Sequence, residues 1–148
     1  NASTINDGAA ACILMSAKKA KELNIKPIAK ILSQSSAAQA PEWFTTAPIK
    51  AMEKAISISE LKIDDIDLFE INEAFSVVPM AAMQDLNINP EKVNIYGGAV
   101  SLGHPIGASG ARIMCTLLNA MGKQNVKIGL ASLCIGGGEA SAMIVERI

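Results

Sequence analysis

Apolar residues recur along this chain at two spacings, which predict helices separated by short strands. Positions three or four residues apart mark one face of a helix, whereas short continuous apolar runs are typical of strands. The helical spacing covers residues 16–23, 48–58, 74–85 and a stretch ending at Met121. The predicted strands cover residues 28–33, 68–71, 93–96, 127–133 and 141–145. The apolar run 9–15 fits either a buried strand or the start of a helix.

Capping and breaking residues set the ends of these elements. Ser16 is a candidate N-cap, Pro48 suits the first turn of a helix, and Gly122 suits the position just after one. Residues 35–48 predict a loop, and the glycines at 136–138 predict a turn between the last two strands. Strands that alternate with helices and finish in a hairpin indicate one α/β domain, a layered mixed sheet with flanking helices.

Composition and charge exclude several classes of protein. The chain has 148 residues, with 13 Lys+Arg against 14 Asp+Glu and a formal net charge of -1. This balance argues against a basic nucleic-acid surface. Half of the residues are hydrophobic but only 3% are aromatic, so Ala, Ile, Leu, Val and Met must build the core. No apolar run approaches the 18 residues or so that a membrane span requires.

The three cysteines indicate a reducing, cytoplasmic environment. They are odd in number, they form no CxxC motif, and the chain has one histidine, so neither a disulfide framework nor a metal site is predicted. Cys12 and Cys115 lie in apolar stretches and are expected to pack in the core. Cys134 is the remaining candidate for a chemical role.

Three polar or reactive groups lie where predicted strands end, the edge of an α/β sheet at which ligands bind. Asn72 follows the strand 68–71, His104 lies in the glycine-rich loop 97–110, and Cys134 precedes three glycines. Two of them also have a simpler interpretation: Asn72 as an N-cap and His104 as an ordinary loop histidine. A phosphate loop at residues 134–138 would lack both the GxxxxGK[ST] pattern and a following helix.

A carboxamide, an imidazole and a thiol together suit acyl transfer through a thioester, or carbon–carbon chemistry beside a carbonyl. Pro105 is placed to begin the next helix, whose dipole would keep His104 neutral and able to accept a proton. The glycines after Cys134 leave backbone N–H groups uncovered for an oxyanion. The strand-end position is expected to make the Cys134 thiolate accessible.

These motifs, in this order, resemble those of the thiolases. They are residues 72–75 (Asn-Glu-Ala-Phe), residues 97–112 around Gly-His-Pro, and residues 134–138 (Cys-Ile-Gly-Gly-Gly). The opening residues 1–10 are similar to the thiolase segment that leads into the C-terminal half. The resemblance covers nearly all of residues 1–148, implies a thiolase-like C-terminal domain, and is strongest to the biosynthetic thiolases. These enzymes condense two acetyl-CoA to acetoacetyl-CoA and catalyse the reverse cleavage.

The resemblance implies catalytic roles for three residues. His104 would activate a nucleophilic cysteine that lies in the N-terminal half, ahead of Asn1, so residues 1–148 alone are expected to be inactive. Cys134 would take the α-proton from acetyl-CoA or return it during cleavage. Asn72 would hold a water that completes one oxyanion hole.

The same resemblance implies binding roles and partners. The N–H of Gly136 would contribute to a second oxyanion hole, Ser3 would hydrogen-bond the pantetheine of CoA, and Phe75 would line the acyl pocket. CoA would be substrate and product, with no separate cofactor or metal. Expected partners are the N-terminal half and further copies in a dimer or tetramer, with neither nucleic acid nor membrane.

Two alternative functions stay open. A degradative 3-ketoacyl-CoA thiolase would act on longer acyl chains, and Thr4 and Glu139, which depart from the usual family residues, leave that preference undecided. A non-catalytic thiolase-like binding or scaffold domain would not need Asn72, His104 and Cys134 together.

Overall fold

A four-stranded mixed sheet with helices on both faces forms the domain. The computed structural model describes residues 1–148. The strands are Ala29–Ala38 (β1), Leu68–Ile71 (β2), Ile128–Ile135 (β3) and Glu139–Arg147 (β4). The α-helices are Ala17–Glu22 (α1), Ala47–Ser59 (α2), Val77–Asp85 (α3), Ala99–Leu102 (α4) and Ser109–Gln124 (α5). Short 3-10 helices cover Pro41–Thr46, Ile63–Asp65 and Pro90–Lys92. The sheet has the order β1-β4-β3-β2, which confirms the predicted fold class. None of the helices is long and apolar enough to cross a membrane.

The sheet register brings two strand ends together. β4 runs antiparallel to both β1 and β3, whereas β2 and β3 run parallel. Within the parallel pair, Leu68 lies opposite Gly129 and Ile71 lies opposite Ser132. The carboxyl ends of β2 and β3 therefore meet at one edge of the sheet, as the sequence analysis requires for a shared site.

Alternate strand residues face different helical layers, as the two-residue period of a strand demands. Phe69 and Ile71 belong to a core shared with α2 and α3. Leu68 belongs to a second core formed with α5, which also includes Leu117 and Met121. Glu70, on the same side as Leu68, therefore faces α5, where only apolar neighbours would be expected.

Several predicted boundaries are confirmed. Ser16 caps α1, because its Oγ accepts a hydrogen bond from the Lys19 N–H at 3.1 Å. Pro48 lies in the first turn of α2, and β2 has the predicted bounds. β3 and β4 form the predicted hairpin around residues 136–138.

Two predictions at chain breaks are wrong. Residues 93–96 do not form a strand: Val93 makes a single bridge to Phe69, and Asn94 adopts a left-handed conformation with φ 48° that ends any extension. Gly122 does not end α5, which continues to Gln124. Asn125, with φ 54°, takes the left-handed capping position that Gly122 was expected to fill.

Segments predicted as loop or helix also differ. Residues 35–48 are not one loop, because β1 extends to Ala38 and is held to α2 by the Ser35 hydroxyl, which donates to the Ala51 carbonyl at 2.5 Å. α3 begins at Val77 and not at Ala74, since the Phe75 backbone instead bridges to Ala2.

The apolar run 9–15 is neither strand nor helix, and its side chains are largely exposed, with Ile13 88% accessible. Cys12 and Cys115 are likewise exposed and not in the core as predicted. Their Sγ atoms lie 3.5 Å apart, so Cys115 faces outward from α5 toward this run.

Candidate active site

Asn72 and Cys134 lie at the shared edge where β2 and β3 end. Asn72 directly follows β2, is 1% exposed, and donates its backbone N–H to the Ser132 carbonyl at 2.9 Å. Cys134 lies within β3, two residues beyond Ser132, and is half-buried. The parallel pairing of β2 with β3 therefore places both residues at one edge of the sheet, as predicted from the strand ends.

Asn72 also contacts His104, so the structure joins two of the predicted site residues. The Asn72 Nδ2 lies 3.3 Å from the His104 Nε2. On the other side of the ring, the His104 Nδ1 lies 2.5 Å from the Ser109 Oγ. The imidazole is thus held at both nitrogens, by the residue after β2 and by the first residue of α5.

This network assigns the tautomer of His104. The Ser109 hydroxyl lies 3.1 Å from the Pro105 carbonyl, and with its single hydrogen donated there its oxygen accepts from Nδ1–H, the tautomer we assign to His104. The Nε2 atom of neutral His104 then carries a lone pair and accepts from the Asn72 amide. A lone pair at Nε2 is what a general base requires.

The surroundings of His104 favour this neutral form. Burial lowers the pKa of His104, and the positive charge of Arg112 lowers it further. The direction agrees with the sequence prediction, but the expected helix start is wrong. α5 begins at Ser109 and not at Pro105, so burial and Arg112 are the causes in place of the dipole of an adjacent helix end.

Cys134 behaves differently from the expectation of an accessible thiolate. Its side chain packs against the core shared with α2, and burial raises the pKa of its thiol, opposed in part by a backbone hydrogen bond. The thiol is therefore held in its protonated form at neutral pH. In this state Cys134 is a proton donor, and a partner must stabilise its thiolate before it can act as a base.

The glycine-rich loop is shaped by close contacts with polar side chains. Glu73 accepts hydrogen bonds from the Asn94 Nδ2 at 2.9 Å and from the Val100 N–H at 3.1 Å. A Cβ atom at Gly98 would overlap the Glu73 carboxylate. Glycine at this position therefore lets Glu73 tie the loop after β2 to the start of the His104 loop.

Residues 1–8, called here the N-terminal strap, bind both site loops. Ser3 donates its N–H and its hydroxyl to the Ala74 carbonyl, each at 3.0 Å. The His104 N–H donates to the Thr4 carbonyl at 2.8 Å and to the Asn6 Oδ1 at 3.2 Å. The strap therefore fixes the backbone of His104 and the loop after Asn72.

The residues predicted to bind substrate lie around this corner and make no hydrogen bond to His104. Phe75 is 41% exposed, and its ring meets that of Phe44 edge-on at a centroid distance of 6.0 Å. Gly136 is exposed, with open space where a side chain would project. The roles predicted for Ser3, Phe75 and Gly136 stay predictions.

Comparison with known proteins identifies the family. Residues 25–147 match the family model of the thiolase C-terminal domain. The chain belongs to the thiolase family. This confirms the resemblance carried by the three motifs.

Individual relatives agree with this assignment. An acetyl-CoA acetyltransferase from Schizosaccharomyces pombe is 52% identical over 148 residues, 100% of this chain and 38% of that protein. A relative from Gibberella zeae, named as a cytosolic acetyl-CoA acetyltransferase, is 51% identical over 100% of this chain and 37% of its own length. A thiolase from Ascaris suum, crystallised in complex with coenzyme A, is similar in structure with a TM-score of 0.94 at 50% identity, over 100% of this chain and 38% of that one. The chain thus spans less than half the length of these relatives.

Three residues of this thiolase site were missed by sequence reasoning. Ser109 orients the His104 ring, and Arg112 contacts both Asn72 and Glu70. The sequence did contain a signal for Glu70 and Arg112. Glu70 interrupts the apolar strand 68–71, and Arg112 lies one position from the buried face of an apolar helix. Opposite charges placed within two apolar patterns indicate a buried pair.

Glu70 gives this domain a specific pH dependence of stability. Burial raises the pKa of Glu70, Arg112 lowers it and Glu73 raises it, and together they bring the pKa to about 7. A carboxyl whose pKa is raised by folding stabilises the fold below its unfolded value near pH 4.5, and this contribution is lost as the pH rises through about 7.

We therefore expect Glu70→Gln to flatten the fall in unfolding free energy between pH 5 and pH 8. The difference between the two proteins over this interval should reach up to about 3 kcal/mol, since one pKa unit corresponds to about 1.4 kcal/mol. Urea unfolding of both proteins at the two pH values measures it, with Glu91→Gln as the control at an exposed carboxylate. Equal slopes for wild type and Glu70→Gln would refute the assignment.

Proposed function

We propose that this domain supplies the acid–base half of a thiolase active site that forms and cleaves acetoacetyl-CoA. The observation that carries the proposal is the contact of Asn72 with the His104 Nε2, at the same sheet edge as the Cys134 thiol. A binding or scaffold domain has no requirement for a base with a fixed tautomer beside a second proton carrier. The names of the relatives support acetyl-CoA as substrate.

In the first step, His104 acts on a nucleophilic cysteine that lies outside these 148 residues. The Nε2 of His104 takes the proton of that thiol, and the resulting thiolate attacks the carbonyl carbon of acetyl-CoA. The C–S bond to CoA breaks, and CoA leaves with the proton from His104. The acetyl group is then held as a thioester on the cysteine. Its carbonyl oxygen would accept a hydrogen bond from a water held by Asn72.

In the second step, Cys134 acts on a second acetyl-CoA. The Cys134 thiol first loses its proton to solvent, and the thiolate takes a proton from the methyl carbon. The carbanion attacks the acetyl carbonyl, and the new C–C bond displaces the nucleophilic thiolate, which takes up a proton from solvent. Burial raises the pKa of Cys134, so its thiolate is costly to form. The N–H of Gly136 would offset this cost by donating a hydrogen bond to the enolate oxygen as the proton is transferred. Thiolysis runs through the same steps in reverse, with Cys134 as the proton donor.

Substrate binding and assembly complete the proposal. Ser3 would meet the pantetheine of CoA and Phe75 the acyl group, at the corner that the N-terminal strap and the loop after β2 form. CoA is the substrate and product, and no separate cofactor or metal enters the reaction. We place the protein in the cytoplasm, since one relative is named as cytosolic, and we expect a homo-oligomer.

A CoA-release assay with acetoacetyl-CoA tests this function in the complete polypeptide that contains these residues. We expect thiolysis of acetoacetyl-CoA to exceed that of 3-ketoacyl-CoA substrates with longer chains, in kcat/KM. A preference for the longer substrates would assign the protein to the degradative thiolases. Absence of turnover together with CoA binding would assign it to the non-catalytic class. Residues 1–148 alone serve as the control without a nucleophile.

A further inference from the structure

Arg112 links a buried carboxylate to the amide that contacts the catalytic base. Its Nη1 lies 3.5 Å from the Glu70 Oε2, and its Nη2 donates to the Asn72 Oδ1 at 3.3 Å. The side chains of Glu70 and Arg112 are 2% and 18% exposed. The guanidinium is therefore held in a partly desolvated position, with its two terminal nitrogens directed at different groups.

This contact decides which way the Asn72 amide points. A guanidinium carries only donors, so it accepts no hydrogen bond from an amide NH₂ and binds only the amide oxygen. With Oδ1 turned to Arg112, the Nδ2 group is turned to the His104 Nε2. The opposite flip would place an NH₂ against the guanidinium and the amide oxygen against the Nε2 lone pair, two repulsive contacts.

The donations consequently run in one direction through the site. Arg112 donates to Asn72, and Asn72 donates to His104. His104 then donates to Ser109, and Ser109 donates to the Pro105 carbonyl. Each link fixes the proton position of the next, so a change at Arg112 reaches the His104 lone pair through one intervening side chain.

We propose that Arg112, held by Glu70, is a positioning residue that fixes the Asn72 amide and thereby the water site and the lone pair of His104. The inference rests on the proposed function, because the oxyanion water and the nucleophile belong to the thiolase reaction. Arg112 touches neither substrate nor the reacting atoms. Its effect acts through Asn72.

Arg112 also acts on His104 through its charge. The charge of Arg112 lowers the pKa of His104, so removing that charge raises it. Because the base must be neutral, the acid limb of kcat/KM then moves to higher pH. The titratable and charged groups around this corner are Arg112 from α5, Glu70 from β2, Glu73 from the loop after it, Cys134 from β3 and Asp7 from the strap.

The kinetic test replaces Arg112 in the complete thiolase polypeptide. For Arg112→Met we expect kcat for thiolysis to fall by about 10- to 100-fold, the range typical when an orienting partner of a functional ligand is lost. KM should change by less than about threefold, because uniform substrate binding is kept. The acid limb should move to higher pH. Arg112→Lys keeps the charge but not the planar guanidinium whose Nη2 reaches Asn72, so kcat should fall while the acid limb stays near its wild-type position.

The matched control is Arg147→Met, since Arg147 is the other arginine of the chain and binds the Val126 carbonyl and Asn125 away from the site. It should change neither kcat nor the acid limb. Where Arg112→Met leaves Glu70 too poorly compensated to fold, the double variant Glu70→Gln/Arg112→Met removes both charges and should show the same kinetic loss. A lower melting temperature with wild-type kcat and an unmoved acid limb would reduce Arg112 to a structural residue and overturn the proposal.

A second readout separates this inference from the proposed function. His104 is the only histidine of residues 1–148, so ¹⁵N NMR of this chain reports its tautomer and pKa without assignment ambiguity. We expect the Nδ1–H tautomer in wild type and a higher pKa of His104 in Arg112→Met. An inactive complete polypeptide with this NMR result would refute the thiolase function and leave the Arg112 link intact. An unchanged pKa would refute the link.

Discussion

Cys134→Ala is expected to abolish carbon–carbon bond formation while the nucleophilic cysteine still becomes acetylated. The thiol lies half-buried at the carboxyl end of β3, and in the proposed condensation it is the group that takes the methyl proton of the second acetyl-CoA. His104, which serves the acetylation step, is held by Asn72 and Ser109 and makes no hydrogen bond with Cys134. Loss of a group that moves a proton in the transition state costs about 10²- to 10⁴-fold, and we expect a loss of about 10³-fold.

Mass spectrometry after incubation with acetyl-CoA, together with the condensation assay, measures both halves of this prediction. The acetyl adduct should accumulate in Cys134→Ala because its onward reaction is blocked. Cys115→Ala is the matched control, since that thiol lies exposed on α5 beside Cys12. An unacetylated Cys134→Ala enzyme would contradict the division of labour between the two residues.

His104→Ala is expected to prevent acetylation itself. The Nε2 lone pair, which accepts from Asn72 in this structure, is the base we assign to the acetylation step, and no second histidine in the chain can replace it. We expect the rate of acetyl-enzyme formation to fall by about 10³-fold, and condensation and thiolysis to fall with it.

Rapid-quench measurement of the acetyl adduct distinguishes this variant from Cys134→Ala. The histidine variant should accumulate no adduct on the time scale on which Cys134→Ala becomes fully acetylated. Raising the pH should restore part of the rate, because the nucleophilic thiol then ionises without a base. Asn119→Ala, at an exposed position on α5, is the control for a polar truncation. Wild-type acetylation by His104→Ala would show that another group activates the nucleophile.

Local pattern was enough to predict the sheet edge on which the site lies. β2 is a short apolar run with Asn72 directly after it, and the parallel pairing of β2 with β3 then places Cys134 at the same edge. The rule that ligands bind at the carboxyl ends of such strands needs no knowledge of side-chain contacts. The same rule placed His104 at this edge, although residues 93–96 before its loop do not form a strand.

Side-chain partners could not be predicted, because they depend on how the elements pack. Ser109 and Arg112 occupy ordinary helical positions in the sequence, and only the placement of α5 over β2 turns them toward His104 and Asn72. The tautomer of His104 follows from the Pro105 carbonyl, which no motif identifies. The proton pattern of the site is therefore a tertiary property.

The apolar pattern gave a wrong prediction of burial where no other element of the chain packs over the apolar residues. Cys12 and Cys115 lie among apolar neighbours in the sequence, yet both are exposed in the structure. An apolar run predicts burial only when another element packs over it, and residues 9–15 have no strand partner here. The prediction of core positions for these two thiols failed for this reason.

The N-terminal strap makes completion of the site depend on contacts between residues far apart in the chain. Its hydrogen bonds join Asn1 to Ser76 across 75 residues and Asn6 to His104 across 98 residues. Contacts at such sequence separation carry a large loop-closure entropy and form after local structure. The pairing of β1 with β4 spans a similar separation, so a refolding chain forms its helices before the sheet and the backbone of His104 are fixed. Recovery of helical circular dichroism should consequently precede recovery of the single histidine's native NMR signal.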